Sequence, residues 1–280
     1  MKNIILTLFL SIVAFGRTSA LSDSARVVNL LKRGRTEATA PLHLWYARQL
    51  IGTPYVGQTL EVNKKEQLVV NLRQLDCTTF VETAIALALT HRQGSLSFED
   101  YRRNLTRIRY RDGKLLNGYP SRNHYFTQWI ASNERQGIVS ERKLPAAISR
   151  TQVIDIHYMS RYPHLYPMLR GDSLAQAEIR KYEKEYEGRQ VRYVPLAQLD
   201  KSPSSDLGVI QDGDILAIVT RKDGLDTSHI GFALWGKDNR LHLLNASQIH
   251  KKVVLEPMTL YQYMRKHPSQ LGVRVIEVKE

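Results

Sequence analysis

The sequence predicts an α+β protein in which helices come first and an antiparallel sheet comes last. Apolar residues recur at helical spacing through much of the first 190 positions, whereas past residue 190 the period falls to two. The two-fold periodic stretches are short and separated by polar turns. Runs of helices followed by runs of strands are the pattern of an α+β domain with an antiparallel sheet.

The chain opens with the features of an export signal. Lys2 supplies the positive start, residues 4–15 the apolar stretch, and Thr18-Ser19-Ala20 a small-residue cleavage site. No cysteine follows that site, so a lipid anchor is not indicated, and no later apolar run approaches the roughly 18 residues that span a bilayer. The expectation is an exported protein, periplasmic in a diderm host, without stable membrane insertion. Its remaining residues, 21–280, are read as one domain, helical over about 21–190 and sheet-forming over about 191–280. Predicted helices cover 41–51, 77–90, 97–110 and 121–134, each ending near Gly or Pro or opening on a capping residue. A charged helix at 174–187 is expected to face solvent and to close at Gly188. Strands are expected at 215–220, 229–234, 240–245, 251–255 and 273–278, and residues 201–205 read as a surface loop.

The formal charge is +13, of which Lys2 and Arg17 belong to the signal, leaving +11. Such an excess draws an exported protein to anionic envelope polymers such as peptidoglycan, teichoic acids or lipid head groups, or else serves solubility alone. No nucleic-acid motif accompanies it, so a nucleic-acid partner is not expected.

Cys77 is the only cysteine. A lone thiol in an oxidising compartment is a liability where Ala or Ser would pack as well, which favours a chemical role over a buried hydrophobe. Asp76 is a good N-cap and puts Cys77 in the first turn of the 77–90 helix. The free N–H groups there are expected to lower the thiol pKa and to face an oxyanion on an attacked carbonyl. Of the nine histidines, His229 opens a strand after the turn around Gly224. A turn centred between Lys237 and Asp238 sets His229 nearly opposite Asn245 on the next strand. Cys77, His229 and Asn245 thus read as nucleophile, base and orienter. His157, His164, His242 and His250 have no metal-ligand spacing, so neither a metal nor a cofactor is expected.

These residues resemble the NlpC-type cell-wall hydrolases, a bacterial branch of the papain-like superfamily. Gly52-Thr53-Pro54-Tyr55-Val56, Asp76-Cys77-Thr78-Thr79-Phe80-Val81 and Ser228-His229-Ile230-Gly231 carry the likeness. A closer resemblance, through most of the chain, is to the AmiA-like N-acetylmuramoyl-L-alanine amidases. It adds Tyr119-Pro120-Ser121-Arg122-Asn123-His124-Tyr125-Phe126, Asp212-Gly213-Asp214-Ile215 and Gly224-Leu225-Asp226-Thr227. The resemblance implies a papain-like fold with the nucleophile helix packed on the sheet, a muropeptide substrate, no cofactor, and cleavage between N-acetylmuramic acid and L-alanine. The family usually has His-Ala-Ser at the third catalytic position, where this chain has Asn245-Ala246-Ser247. Asparagine can orient an imidazole but cannot carry charge, which keeps a decayed peptidoglycan-binding module as an alternative. A γ-D-glutamyl-diamino-acid endopeptidase or a thiol acyltransferase on the same scaffold is another. Tyr55 is expected to assist the oxyanion, and Arg122, His124 and Tyr125 to contact substrate, Arg122 by a bidentate grip on a carboxylate. Asp76 is a further expected substrate contact; packing alone is the alternative for Tyr125, as capping is for Asp76.

Overall fold

The computed structural model describes residues 21–116, 118–201 and 206–279, so the predicted signal and most of the 201–205 loop lie outside the described residues. The Ser22 hydroxyl accepts from the Ala25 amide at 3.2 Å and so caps α1 (Asp23–Glu37), a helix in a stretch that the sequence reading left unassigned. Next come α2 (Leu42–Gln49), α3 (Cys77–Arg92) and α4 (Phe98–Arg109), close to the predicted helices. Ser97 caps α4, whose first turn is acidic and whose last turn is basic, matching the helix dipole at both ends.

The helix predicted at 121–134 starts later, as α5 (Phe126–Arg135). Pro120 lies in a single 3-10 turn, and Arg122 is extended, bridging antiparallel to Tyr110. The Asn123 amide donates to the Arg109 carbonyl at 2.9 Å. Residues whose backbone is committed to the end of α4 cannot also begin a helix. The chain continues through β1 (Val139–Glu141), β2 (Arg150–Val153), α6 (Tyr158–Arg161), α7 (Ser173–Lys184) and β3 (Gln190–Pro195). The expectation that α7 only faces solvent is corrected: it buries Ala175, Ile179 and Glu183, and Tyr125 donates its hydroxyl to the Glu183 carboxylate at 2.6 Å. Gly188, at φ +74°, turns the chain beyond it.

The remaining elements are β4 (Ile215–Thr220), β5 (Thr227–Trp235), β6 (Leu241–Ser247), β7 (Lys252–Leu255), α8 (Leu260–Arg265) and β8 (Gln270–Val278). The strands form one antiparallel sheet in the order β2-β3-β8-β4-β5-β6-β7, and β1 pairs with the end of β8 that β3 leaves uncovered. β4 is buried along its whole length, as its unbroken apolar run Ile-Leu-Ala-Ile-Val requires. One face of the sheet, with Phe232, Leu244 and Ile276, packs on Phe80, Val81 and Ala84 of α3. The opposite face, with Leu216, Leu243 and Val275, packs on Leu260 and Met264 of α8. The first of these cores draws on residues from Val27 to Val278, so the helical and sheet parts share it.

α3 is pinned from its far side. Glu82 and Arg109, each about 3% exposed or less, pair at 2.7 Å, and Arg109 also donates to the Val69 carbonyl. Trp129 of α5 donates its ring N–H to the second Glu82 oxygen at 3.3 Å. Removing one member of such a pair strands a buried charge, at a typical cost of about 3–5 kcal/mol. Arg109→Leu is therefore expected to lower the urea midpoint strongly. The double variant Glu82→Leu/Arg109→Leu should regain part of the loss, and a single variant as stable as the parent would contradict this account.

Candidate active site

The start of α3 is built by two devices. Asp76 accepts the Thr79 amide at 2.8 Å, and the Thr79 hydroxyl accepts the Asp76 amide at 2.9 Å, a reciprocal capping box. Thr79, in the Thr78-Thr79 pair, thus closes the helix start. Residues 52–56 supply the second device. The Leu75 amide donates to Pro54 and the Val56 amide to Leu75, while Gly52, Thr53 and Tyr55 bond along β7 at Val253 and Lys251. One segment thus stitches the residue before the cap to the sheet edge and also covers that edge.

β5 brings the base. Ile218 of β4 pairs with His229 but Val219 pairs with Thr227, so Ser228 is the extra residue of a bulge that sets where His229 points. His229 and Asn245 share a hydrogen bond at 3.0 Å, from ring Nε2 to the side-chain Oδ1. The route differs slightly from the sequence expectation. Phe232 pairs with Leu244 and Leu234 with His242, so the hairpin is centred on Asp238, and His229 meets Asn245 diagonally rather than nearly face to face. A displacement of two residues keeps both side chains on one face, which is why the contact survives. Gly231 makes room for it, since a Cβ there would come within 2.9 Å of the Asn245 Cβ. Asn245 is fully buried and donates its amide to the Leu243 carbonyl at 3.3 Å, which fixes its oxygen toward the histidine. With Nε2 donating to that oxygen, Nδ1 is left as the basic nitrogen.

Cys77 and His229 line the same pocket, of 290 Å³. The thiol lies against β5, where the Ile230 backbone hydrogen-bonds it. Its protonation corrects the sequence expectation. Burial, with the Asp76 charge added, pushes the Cys77 pKa up to about 12, beyond what the Ile230 and Thr78 hydrogen bonds offset. Burial likewise pulls His229 below its ordinary value, against the Asn245 hydrogen bond and the Asp76 charge. Both shifts favour the neutral forms of the thiol and of the imidazole that line this pocket. Burial, with the charges of Cys77 and Asp76, pushes the Tyr55 hydroxyl up to about 12, so it remains a protonated donor near the thiol.

The other expected contacts fare differently. Arg122, His124 and Tyr125 all line the pocket. Arg122 is buried between Glu61 at 2.6 Å and Glu66, which binds it through both oxygens, so its fork is already filled by carboxylates. His124 is half-buried, its Nε2 bonded to the Tyr119 carbonyl at 2.9 Å, and burial with the Arg122 charge drives its pKa down to about 3. Tyr125 turns its hydroxyl away to Glu183 and the Met159 amide, and Asp76 is occupied by its cap. The sequence reading missed two pocket carboxylates, Glu61 and Asp226. Asp226 accepts the Thr127 amide at the start of α5 at 2.6 Å. Glu61 sits in a polar stretch without periodicity, whereas Asp226 lies only three residues before the base. Among the described residues no cluster of His, Cys, Asp or Glu is placed to hold a metal ion, and no helix is long and apolar enough to cross a membrane.

An α+β domain that sets a helix-start cysteine and a histidine–asparagine pair around one pocket is the class of protein that the geometry defines. The AmiA-like family model, described as N-acetylmuramoyl-L-alanine amidase-like, matches residues 46–273, and the chain belongs to that family. An N-acetylmuramoyl-L-alanine amidase from Bacteroides uniformis ATCC 8492 superposes with a TM-score of 0.78 at 38% identity, over 86% of this chain and 98% of that one. A Bacteroides fragilis protein described as a xylanase gives 0.76 at 42% identity, over 84% of this chain and all of that one. Protein LPG0564 from Legionella pneumophila shares the fold at 22% identity, with a TM-score of 0.69 over 92% and 94% of the two chains. No curated protein matches the chain.

Two outcomes follow from the protonation states. Alkylation of Cys77 by iodoacetamide in the resting protein should climb about tenfold per pH unit from pH 7 to 10, because only the thiolate reacts. A plateau below pH 8 would instead reveal a preformed thiolate–imidazolium pair. His124 is held neutral in the fold, whereas the unfolded chain takes up a proton below pH 6.5. Stability is therefore lost as pH falls from 6.5 toward about 3, by at most about 1.4 kcal/mol per unit from this ring. His124→Gln should flatten that acid slope in urea midpoints measured against pH.

Proposed function

We propose that this chain is an exported cysteine amidase of the NlpC-type, papain-like group. In this reading it cleaves the amide between the lactyl group of N-acetylmuramic acid and L-alanine in peptidoglycan fragments. The observation that carries it is the shared pocket of Cys77 and His229, with Asn245 at 3.0 Å behind the ring. Family membership supports the bond, and the signal-like first twenty residues support a periplasmic setting. The net charge of +11 beyond that signal suits an anionic polymer.

In this mechanism the Cys77 sulfur attacks the lactyl carbonyl while its proton passes to His229 Nδ1. Transfer during attack suits a pair that is neutral at rest. The oxyanion meets the free amides at the start of α3 and the Tyr55 hydroxyl. Its collapse breaks the carbon–nitrogen bond, and His229 gives the proton to the departing amine of L-alanine. Water then attacks the thioester, His229 takes its proton, and the sulfur leaves to regain a proton as Cys77. Asn245 holds the imidazole in the tautomer that both steps use.

A glycosidase reading, which the Bacteroides fragilis relative's description raises, is less favoured. It needs two carboxylates free to act as acid and base. Glu61 is ion-paired with Arg122, and Asp226 is bonded to the start of α5.

Defined muropeptides incubated with the protein lacking residues 1–20 should yield free sugar and an intact peptide beginning at L-alanine, identified by mass spectrometry. Cys77→Ala should yield neither, and His229→Gln should be slower by about 10²–10⁴-fold. Cleavage inside the peptide would replace the amidase by an endopeptidase, acyl transfer to an added amine or lipid would make it an acyltransferase, and binding without cleavage would leave a binding module.

A further inference from the structure

Glu256 follows β7 and is fully buried. Its amide donates to the Leu243 carbonyl at 2.9 Å, and the Asn245 side chain donates to that same carbonyl at 3.3 Å. Glu256 by its main chain and Asn245, the residue that orients His229, by its side chain are therefore tied to one oxygen of β6. The Glu256 carboxylate is bonded by His250 Nε2 at 3.2 and 3.3 Å, and the Met258 amide reaches it at 3.5 Å. Among the described residues no lysine or arginine forms an ion pair with it. A carboxylate kept in the interior without a strong cation is costly, and a glutamine would fill the same volume at less cost.

The mechanism makes a use for it. His229 becomes an imidazolium in both steps, in a half-buried site, and Asn245 offers no charge to balance it. We propose that Glu256 is a positioning residue for His229, its buried carboxylate standing behind Asn245 as the negative charge that the imidazolium needs, with His250 holding it in place. The inference rests on Cys77 and His229 acting as a pair. The acidic groups around His229 agree in sign. Asp76 beside α3 and Glu256 both hold its pKa up against burial, whereas His267 beyond α8 opposes them. Tyr263 of α8 lies 6.4 Å from the His229 ring, and burial followed by the Glu256 charge raises its hydroxyl pKa.

The test is a nuclear magnetic resonance titration of the histidine rings in the full protein, which needs no substrate, together with kinetics on a muropeptide. In Glu256→Gln the His229 midpoint should fall by half a pH unit or more, about a threefold change in its acid constant, because a negative charge that favoured the proton is gone. Glu256→Asp should restore most of that shift. On the muropeptide, Glu256→Gln should lower kcat by about tenfold with KM within about twofold, as expected for charge that matters only when the imidazolium forms. An unmoved His229 midpoint in a folded Glu256→Gln protein overturns the proposal. If that variant does not fold, His250→Gln decides: it releases the carboxylate from the ring that holds it, so the His229 midpoint should move from its wild-type value, and an unmoved midpoint overturns the proposal as well. A wild type that cleaves nothing while the His229 shift persists would count against the amidase and not against Glu256.

Discussion

The site depends on burying the first turn of α3 against β5. A helix start has amides without partners, and putting them in the interior is tolerable only if they are capped or serve a ligand. Here the Asp76–Thr79 box takes part of that demand, and the Ile230 backbone meets the thiol between them. Everything that holds α3 at this height bears on the chemistry. Residues 52–56 clamp its entry, the Glu82–Arg109 pair fixes its far side, and Phe80 and Val81 lock it to the sheet.

The same burial sets the protonation states. In water a cysteine beside a histidine can exchange its proton at little cost, but desolvation penalises both charged forms. Both shifts favour the neutral forms, and in the proposed mechanism charge then has to be supplied where it forms. In that mechanism local dipoles at the helix start answer the oxyanion. Asp76 and Glu256 are the negative groups that favour the imidazolium. A neutral Asn245 is compatible with this division, since it need only aim the ring while other residues carry the charge.

The pocket also shows how overall charge and local charge part company. The chain is strongly basic, yet among the described residues the one arginine that lines the site is held by Glu61 and Glu66, and the further carboxylate there is Asp226. In the proposed function, long-range attraction to an anionic polymer and recognition inside the pocket are therefore separate tasks, the first set by net charge and the second by paired groups.

What the sequence determined by itself is what neighbours in the chain decide. The start of α3, the cap at Asp76, the helices near 41–51 and 97–110 and the strands after residue 215 follow from periodicity and from contacts within three or four positions. The nearness of His229 and Asn245 was legible because one hairpin carries both, but a turn centred between Lys237 and Asp238 would set Asn245 opposite Ile230, and only the observed centre at Asp238 puts the two side chains on one face. The tertiary structure alone decided the rest. Arg122 finds Glu66 across 56 positions, Tyr125 finds Glu183 across 58, and the bulge at Ser228 arises only where β4 and β5 meet. The thiol's protonation and the buried Glu256 belong here too. Desolvation is a property of the assembled interior, and it leaves no periodic mark on the chain.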